Sequence, residues 1–235
     1  MIQLQGQALY PGSAKGLAKW IKKTIHPTHS LSNQDQRALL QKALKVSEET
    51  LTHEMNQMKE TFPQHAMMMF EAHRLMIQDP FLLDRVEVYF NQGLSAYEAY
   101  KNAAQEVIEL FEMMQNDYMR GRVVDIEDIT DRVLTAISET ELVDDIPLHE
   151  QTILLLDKLK PSLIAKLSQS SVVGILVKEA SAHQHSLLLF DTLKIPCVVL
   201  GKDLDKIKNK DYIIINGTTG HVQINPDNGG ESHEL

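Results

Sequence analysis

The period of the apolar positions changes twice along the chain. Residues 2–22 read as extended: Ile2 and Leu4 alternate with Gln3 and Gln5, Tyr10-Pro11-Gly12 makes a turn, and Leu17 to Ile21 form a short apolar strand. A polar linker, Thr24 to Asn33, follows. From about Ser32 to Ile137 the spacing is helical. Ser32 or Asn33 can cap a first helix carrying Leu39, Leu40, Ala43, Leu44, Val46 and Leu51, which should run to about Phe62, where Pro63 breaks it. A second helix spans Gln64 to Met76. Asp79-Pro80 starts a third, Phe81 to Gln92, closed by Gly93. Ser95 caps a fourth, from Ala96 to about Arg122, with Ala99, Ala103, Val107, Leu110, Phe111 and Met114 on one face. Asp125 leads into a last helix with Ile126, Ile129, Val133, Leu134 and Ile137. This pattern predicts a helical bundle with short connections.

After Asp144-Asp145-Ile146-Pro147 the period shortens again. Thr152 to Leu156, Gly174 to Val177, Cys197 to Leu200 and Asp211 to Ile215 are apolar runs of strand length. Lys160-Pro161-Ser162 opens a short amphipathic helix. Asn216-Gly217 begins a hairpin turn that returns as His221 to Ile224. The predicted fold class is α/β: a β-rich unit, residues 1–31 and 144–230, interrupted by a helical subdomain, residues 32–143, with a tail at 231–235.

Composition narrows the functions. The formal net charge of −9 argues against a nucleic-acid partner, whose phosphate backbone requires basic patches, and suits a basic protein partner. The single cysteine, Cys197, allows no disulfide within the chain, which fits a reducing, cytoplasmic setting. The first residues lack a charged segment followed by an apolar one, so no signal peptide is read there, and no apolar run is long enough to cross a bilayer. The run Met67-Met68-Met69 fits adaptable core or a docking face better than a metal site.

The chemistry centres on residues 174–201. A buried strand passes through a polar loop into a helix opened by His185, near backbone N–H groups that can hold an anion. An imidazole there can carry a phosphoryl group, or it can be an ordinary loop histidine. His183 and His185 could also share a metal ion, but no third or fourth ligand is apparent, and no metal is assigned.

These pieces resemble, in order and spacing over nearly the whole chain, the N-terminal phosphohistidine half of Enzyme I, the phosphoenolpyruvate–protein phosphotransferase of the bacterial phosphotransferase system. Tyr10-Pro11-Gly12-Ser13-Ala14-Lys15-Gly16 is similar to its opening S-P-G-x-A-x-G. Phe70-Glu71-Ala72-His73 and Met76-Ile77-Gln78-Asp79-Pro80 are similar to F-E-A-H and M-L-x-D-P. The segment Asp117-Tyr118-Met119-Arg120-Gly121-Arg122, with Val124-Asp125-Ile126 and Arg132-Val133-Leu134, resembles a third family motif. Pro161-Ser162, Ile195-Pro196 and Val222-Gln223-Ile224-Asn225-Pro226 match three more.

The resemblance implies a swivelling phosphohistidine domain with an inserted helical bundle. It puts His185 on the phosphoryl-accepting histidine, followed by Ser186. The family loop, roughly G-G-x-T-S-H-T/S, reads Ala180 to Ser186 here, without the glycines and the Thr-Ser pair. Lys160 stands where the family has a threonine that orients the histidine, and a lysine there could pair with a phosphohistidine. The implied partner is HPr, the small phosphocarrier, on a face carrying His73, Leu75, Met76, Leu82, Tyr118, Met119 and Arg122. Family acidic residues near that face are Gln64, His65 and Phe81 here. The family's phosphoenolpyruvate and magnesium belong to a C-terminal barrel, so no cofactor is expected in these residues, and a monomer is expected. The phosphoenolpyruvate-binding domain or fused transport modules would lie elsewhere. The chain also resembles the truncated Enzyme I-like module of the dihydroxyacetone kinase multiphosphoryl-transfer subunit. The alternative is a degenerate Enzyme I-like module that binds or regulates without transferring phosphate.

Overall fold

A computed structural model describes residues 2–21, 33–138, 151–167, 170–180 and 184–226. By contacts the chain divides into two units: residues 1–22, 144–159 and 163–235 form one, and residues 23–143 with 160–162 form the other.

The first unit is built on β1 (Ile2–Gln5), β2 (Gln7–Tyr10), β3 (Ser13–Trp20), β4 (Thr152–Lys158), β5 (Val172–Glu179), β6 (Cys197–Val199), β7 (Tyr212–Asn216) and β8 (His221–Ile224). Among the described residues these make one sheet, in the order β1-β8-β7-β3-β4-β5-β6-β2. The strands β3, β4, β5 and β6 run parallel to one another, while the β3–β7, β7–β8, β8–β1 and β6–β2 pairs are antiparallel. The apolar runs of β4 and β5 are buried on both faces, as a central parallel strand requires.

The two edges of the sheet belong to one stretch of chain. β1 pairs with β8 at one edge and β2 with β6 at the other, with Gly6 between them. The Gly6 N–H donates to the Gly220 carbonyl at 2.8 Å. A Cβ on Gly6 would lie 2.4 Å from the Val199 carbonyl oxygen, and one on Gly220, where φ is +77°, would lie 2.1 Å from the Gly6 oxygen. Glycine at both positions therefore lets the strand change partners and satisfy both edges. Ile153, Leu155, Leu176, Ile213, Ile215 and Val222 are central to the apolar core on one side of this sheet.

The second unit contains α1 (Asn33–Met58), α2 (Gln64–Ile77), α3 (Pro80–Asn91), α4 (Ala96–Glu112), α5 (Asp117–Arg120) and α6 (Val123–Ile137). The expected starts are physically explicit. The Asp79 carboxylate accepts from the N–H groups of Phe81 and Leu82, with Pro80 in the first turn. Ser95 and Glu98 form a reciprocal capping box. The buried Gln36 side chain accepts from the Ala96 N–H at 2.7 Å.

Two helical extents differ from expectation. α1 ends at Met58 rather than Phe62, because Thr61 and Phe62 turn back onto the Met58 carbonyl. The predicted helix from Ala96 to Arg122 is interrupted: α4 ends at Glu112, and the Asn116 side chain caps α5 through the Tyr118 N–H. The buried face of α4 carries the expected Ala99, Ala103 and Val107 and is widened by Tyr100, Ala104 and Ile108, while Leu110 is 44% exposed and Met114 36%.

Candidate functional site

In the β-rich unit, Lys158 and Glu179 pair in register at the carboxyl ends of the adjacent parallel strands β4 and β5. The connections that follow them leave the same edge of the sheet, where open α/β sheets place their ligands. After β5 the chain enters α8 (Gln184–Leu193), with α7 (Pro161–Lys166) preceding β5. His185 and Ser186 lie in the first turn of α8, where backbone N–H groups have no intrahelical partner. Their side chains lie outside the described ones, and His183 lies outside the described residues altogether.

The far half of α8 is what fixes it. Leu189 and Phe190 are fully buried. Tyr10 of β2 stacks on Phe190, with ring centroids 5.5 Å apart and planes at 22°, and its hydroxyl donates to Asp191 Oδ1 at 3.3 Å. Because Tyr10 is itself paired with Cys197 of β6, the strand at the edge of the sheet holds the helix that begins with Gln184 and His185. Cys197 is a core residue: burial pushes its thiol pKa up, away from a reactive thiolate.

Lys160 and Ser162 are held by α6. The Lys160 ammonium pairs with the Asp131 carboxylate and lies 3.5 Å from the Glu127 carbonyl oxygen. The Ser162 N–H donates to Asp128 Oδ2 at 2.9 Å, and its hydroxyl donates to Asp128 Oδ1. The Lys160 charge is met by Asp131 in this structure.

The residues assigned to a docking face divide by burial. Leu75 is 64% exposed and Tyr118 is 54% exposed. Met76, Met119 and Arg122 are half-buried. His73 and Leu82, of the same set, are buried. Leu82 turns inward because it follows the Asp79 cap on the core side of α3. Gln64, His65 and Phe81 are exposed, as is Met68, while Met69 is buried.

His73 is inside because Asp125 is inside. Its Nε2 lies 3.1 Å from Asp125 Oδ1, off the line of a well-formed hydrogen bond, and its ring stands edge-on to Phe70. Arg122 Nη1 donates to Asp125 Oδ2 at 3.0 Å. Burial alone would raise the Asp125 pKa, but His73 and Arg122 outweigh it and hold the carboxyl below its ordinary value. The buried acids Asp125 and Asp128 were missed as organising residues in the sequence. The available signal was acidic residues at 125, 128 and 131, three apart on an otherwise amphipathic helix. Among the described residues, no cluster of histidine, cysteine or acidic side chains could hold a metal ion.

The fold defines a class: an α/β unit whose chain is interrupted by a helical bundle. The comparisons agree. Residues 5–122 match the family described as PEP-utilising enzyme, N-terminal, and residues 148–220 match PEP-utilising enzyme, mobile domain. The chain belongs to this family of PEP-utilising enzymes. It is 30% identical over 232 residues to the phosphoenolpyruvate-protein phosphotransferase of Staphylococcus carnosus, covering 95% of this chain and 40% of that protein. It is 33% identical over 159 residues to the enzyme of the same description from Geobacillus stearothermophilus, covering 67% of this chain and 28% of that protein. The chain thus spans well under half the length of these relatives. The solution structure of Enzyme I (nEIt) superposes with a TM-score of 0.68 at 27% identity, covering 96% of this chain and 94% of that one. The N-terminal domain of Enzyme 1 - Nitrogen shares the fold, with a TM-score of 0.61 at 18% identity and coverage of 95% and 94%.

Proposed function

We propose that this chain is a phosphohistidine relay in a phosphoenolpyruvate-dependent phosphotransferase system, exchanging a phosphoryl group between His185 and the histidine of an HPr-type carrier. The observation that carries the reading is the position of His185: in the first turn of a helix that follows a central parallel strand, inside the segment that matches the mobile domain. In the transfer, one ring nitrogen of neutral His185 gives its lone pair to phosphorus. The bond from phosphorus to the carrier's ring nitrogen breaks, and its electron pair returns to that nitrogen. Each imidazole keeps one N–H, so no proton is consumed, and the step is reversible. Catalysis is then positioning and stabilisation of phosphoryl oxygens by first-turn N–H groups, with Ser186 adjacent.

The carrier docks on the bundle, where Leu75 and Tyr118 are exposed. The reading requires no cofactor in these residues. It makes the protein a cytoplasmic phosphotransferase component working as a monomer. Among the described residues no helix is long and apolar enough to cross a membrane. The test is incubation with radiolabelled phospho-HPr. Label on the wild type and none on His185→Ala supports the relay. Carrier binding without labelling of the wild type rejects it in favour of a degenerate binding module.

A further inference from the structure

We propose that Asp125, which lies outside the docking set, is the positioning residue of that set: it fixes Arg122, and through Arg122 the exposed Tyr118, in the orientation a phosphocarrier meets. This rests on the docking reading above.

Tyr118 needs an external support. It sits on α5, a single helical turn with no buried residue, so its own element does not pack it in place. Arg122 supplies the support twice. Its guanidinium carbon lies 4.9 Å from the centroid of the Tyr118 ring, and its Nη2 donates to the Tyr118 hydroxyl. Arg122 is in turn held from inside the bundle, through Nη1 on Asp125 Oδ2 at 3.0 Å.

The carboxylate that anchors this chain of contacts has little freedom to turn. Asp125 is 2% exposed and its other oxygen faces the buried His73 at 3.1 Å. A charged pair placed inside a bundle is a poor source of stability compared with apolar packing, and its best-attested use is to specify geometry. Here the geometry it specifies ends on a tyrosine and an arginine at the surface, two residue types that dominate interface energetics. The guanidinium fork matters as much as its charge, because Arg122 must reach Asp125 and Tyr118 at once.

The test measures the dissociation constant of unphosphorylated HPr for wild type, Asp125→Asn, Tyr118→Phe and the double variant, with thermal unfolding alongside. Asp125→Asn should weaken binding roughly tenfold, as expected for coupled neighbours. The double variant should bind no more weakly than Asp125→Asn alone. In the transfer assay Asp125→Asn should raise KM for phospho-HPr and leave kcat within about twofold. If Asp125→Asn does not fold, Arg122→Lys replaces it, keeping the charge and losing the fork, with the same loss and the same non-additivity expected. Wild-type affinity in the variant that folds, effects that multiply, or a loss confined to kcat overturns the proposal. Failure of the wild type to bind HPr overturns the docking reading itself.

Discussion

The staple between Asp128 and Ser162 permits a quantitative prediction. Asp128 is 4% exposed, and both of its oxygens are used on one residue, Oδ2 accepting from the Ser162 N–H and Oδ1 from its hydroxyl. Hydrogen bonds to a charged group contribute roughly 1.5–3 kcal/mol each. Ser162→Ala removes the hydroxyl bond and should cost about 1.5 kcal/mol. Asp128→Ala removes both, offset in part by relief of burying a carboxylate, and should cost about 2–4 kcal/mol. Once Asp128 is gone the serine hydroxyl has lost its partner, so the double variant should be no less stable than Asp128→Ala. The coupling is then about 1.5 kcal/mol. Urea unfolding should be followed by far-ultraviolet circular dichroism, which reports the helical unit. Fluorescence of Trp20, the single tryptophan, reports the β-rich unit, where its Nε1 donates to the Ile207 carbonyl at 2.9 Å. Strictly additive losses, or a loss below about 0.5 kcal/mol for Asp128→Ala, would refute the reasoning.

Three further outcomes are expected. Phe190→Ala should cost about 3–5 kcal/mol, because the ring is fully buried; Tyr10→Leu should lose the stack on it and slow labelling of His185, measured by denaturant unfolding and transfer rate. Gly220→Ala should cost about 1–2 kcal/mol or more, since it combines a positive φ with a Cβ 2.1 Å from the Gly6 oxygen, and the shift should appear in Trp20 fluorescence. The Asp125 pKa is lowered in the folded protein, so its contribution is complete above the unfolded value of about 3.9 and is lost as pH falls through the folded value. Asp125→Asn should therefore flatten the loss of stability below about pH 4, read from unfolding midpoints across an acid series.

What was legible in the sequence was local. The strands β4 and β5 announce themselves because burial on both faces demands an unbroken apolar run. The starts of α3 and α4 are legible because Asp79-Pro80 and Ser95 with Glu98 are short-range caps. The break after Glu112 was not. The apolar spacing of Ala103, Val107 and Leu110 continues through it, and neither glycine nor proline stands at residues 113–116. The cap at Asn116 acts only once the chain has already turned. The inward placement of His73 and the pairing of Lys160 depend on acids on α6, 52 and 29 positions away in the chain respectively. No local pattern carries that information. An aspartate on an amphipathic helix looks the same whether it meets water or a buried histidine.

The central claim is that His185 carries the phosphoryl group. The most direct measurement is to phosphorylate the protein with phospho-HPr, digest it at alkaline pH and locate the modification by electron-transfer fragmentation. The account predicts one acid-labile, alkali-stable phosphoryl group on His185. A phosphoryl group on His183, His73 or any other residue, with His185 unmodified, would contradict it.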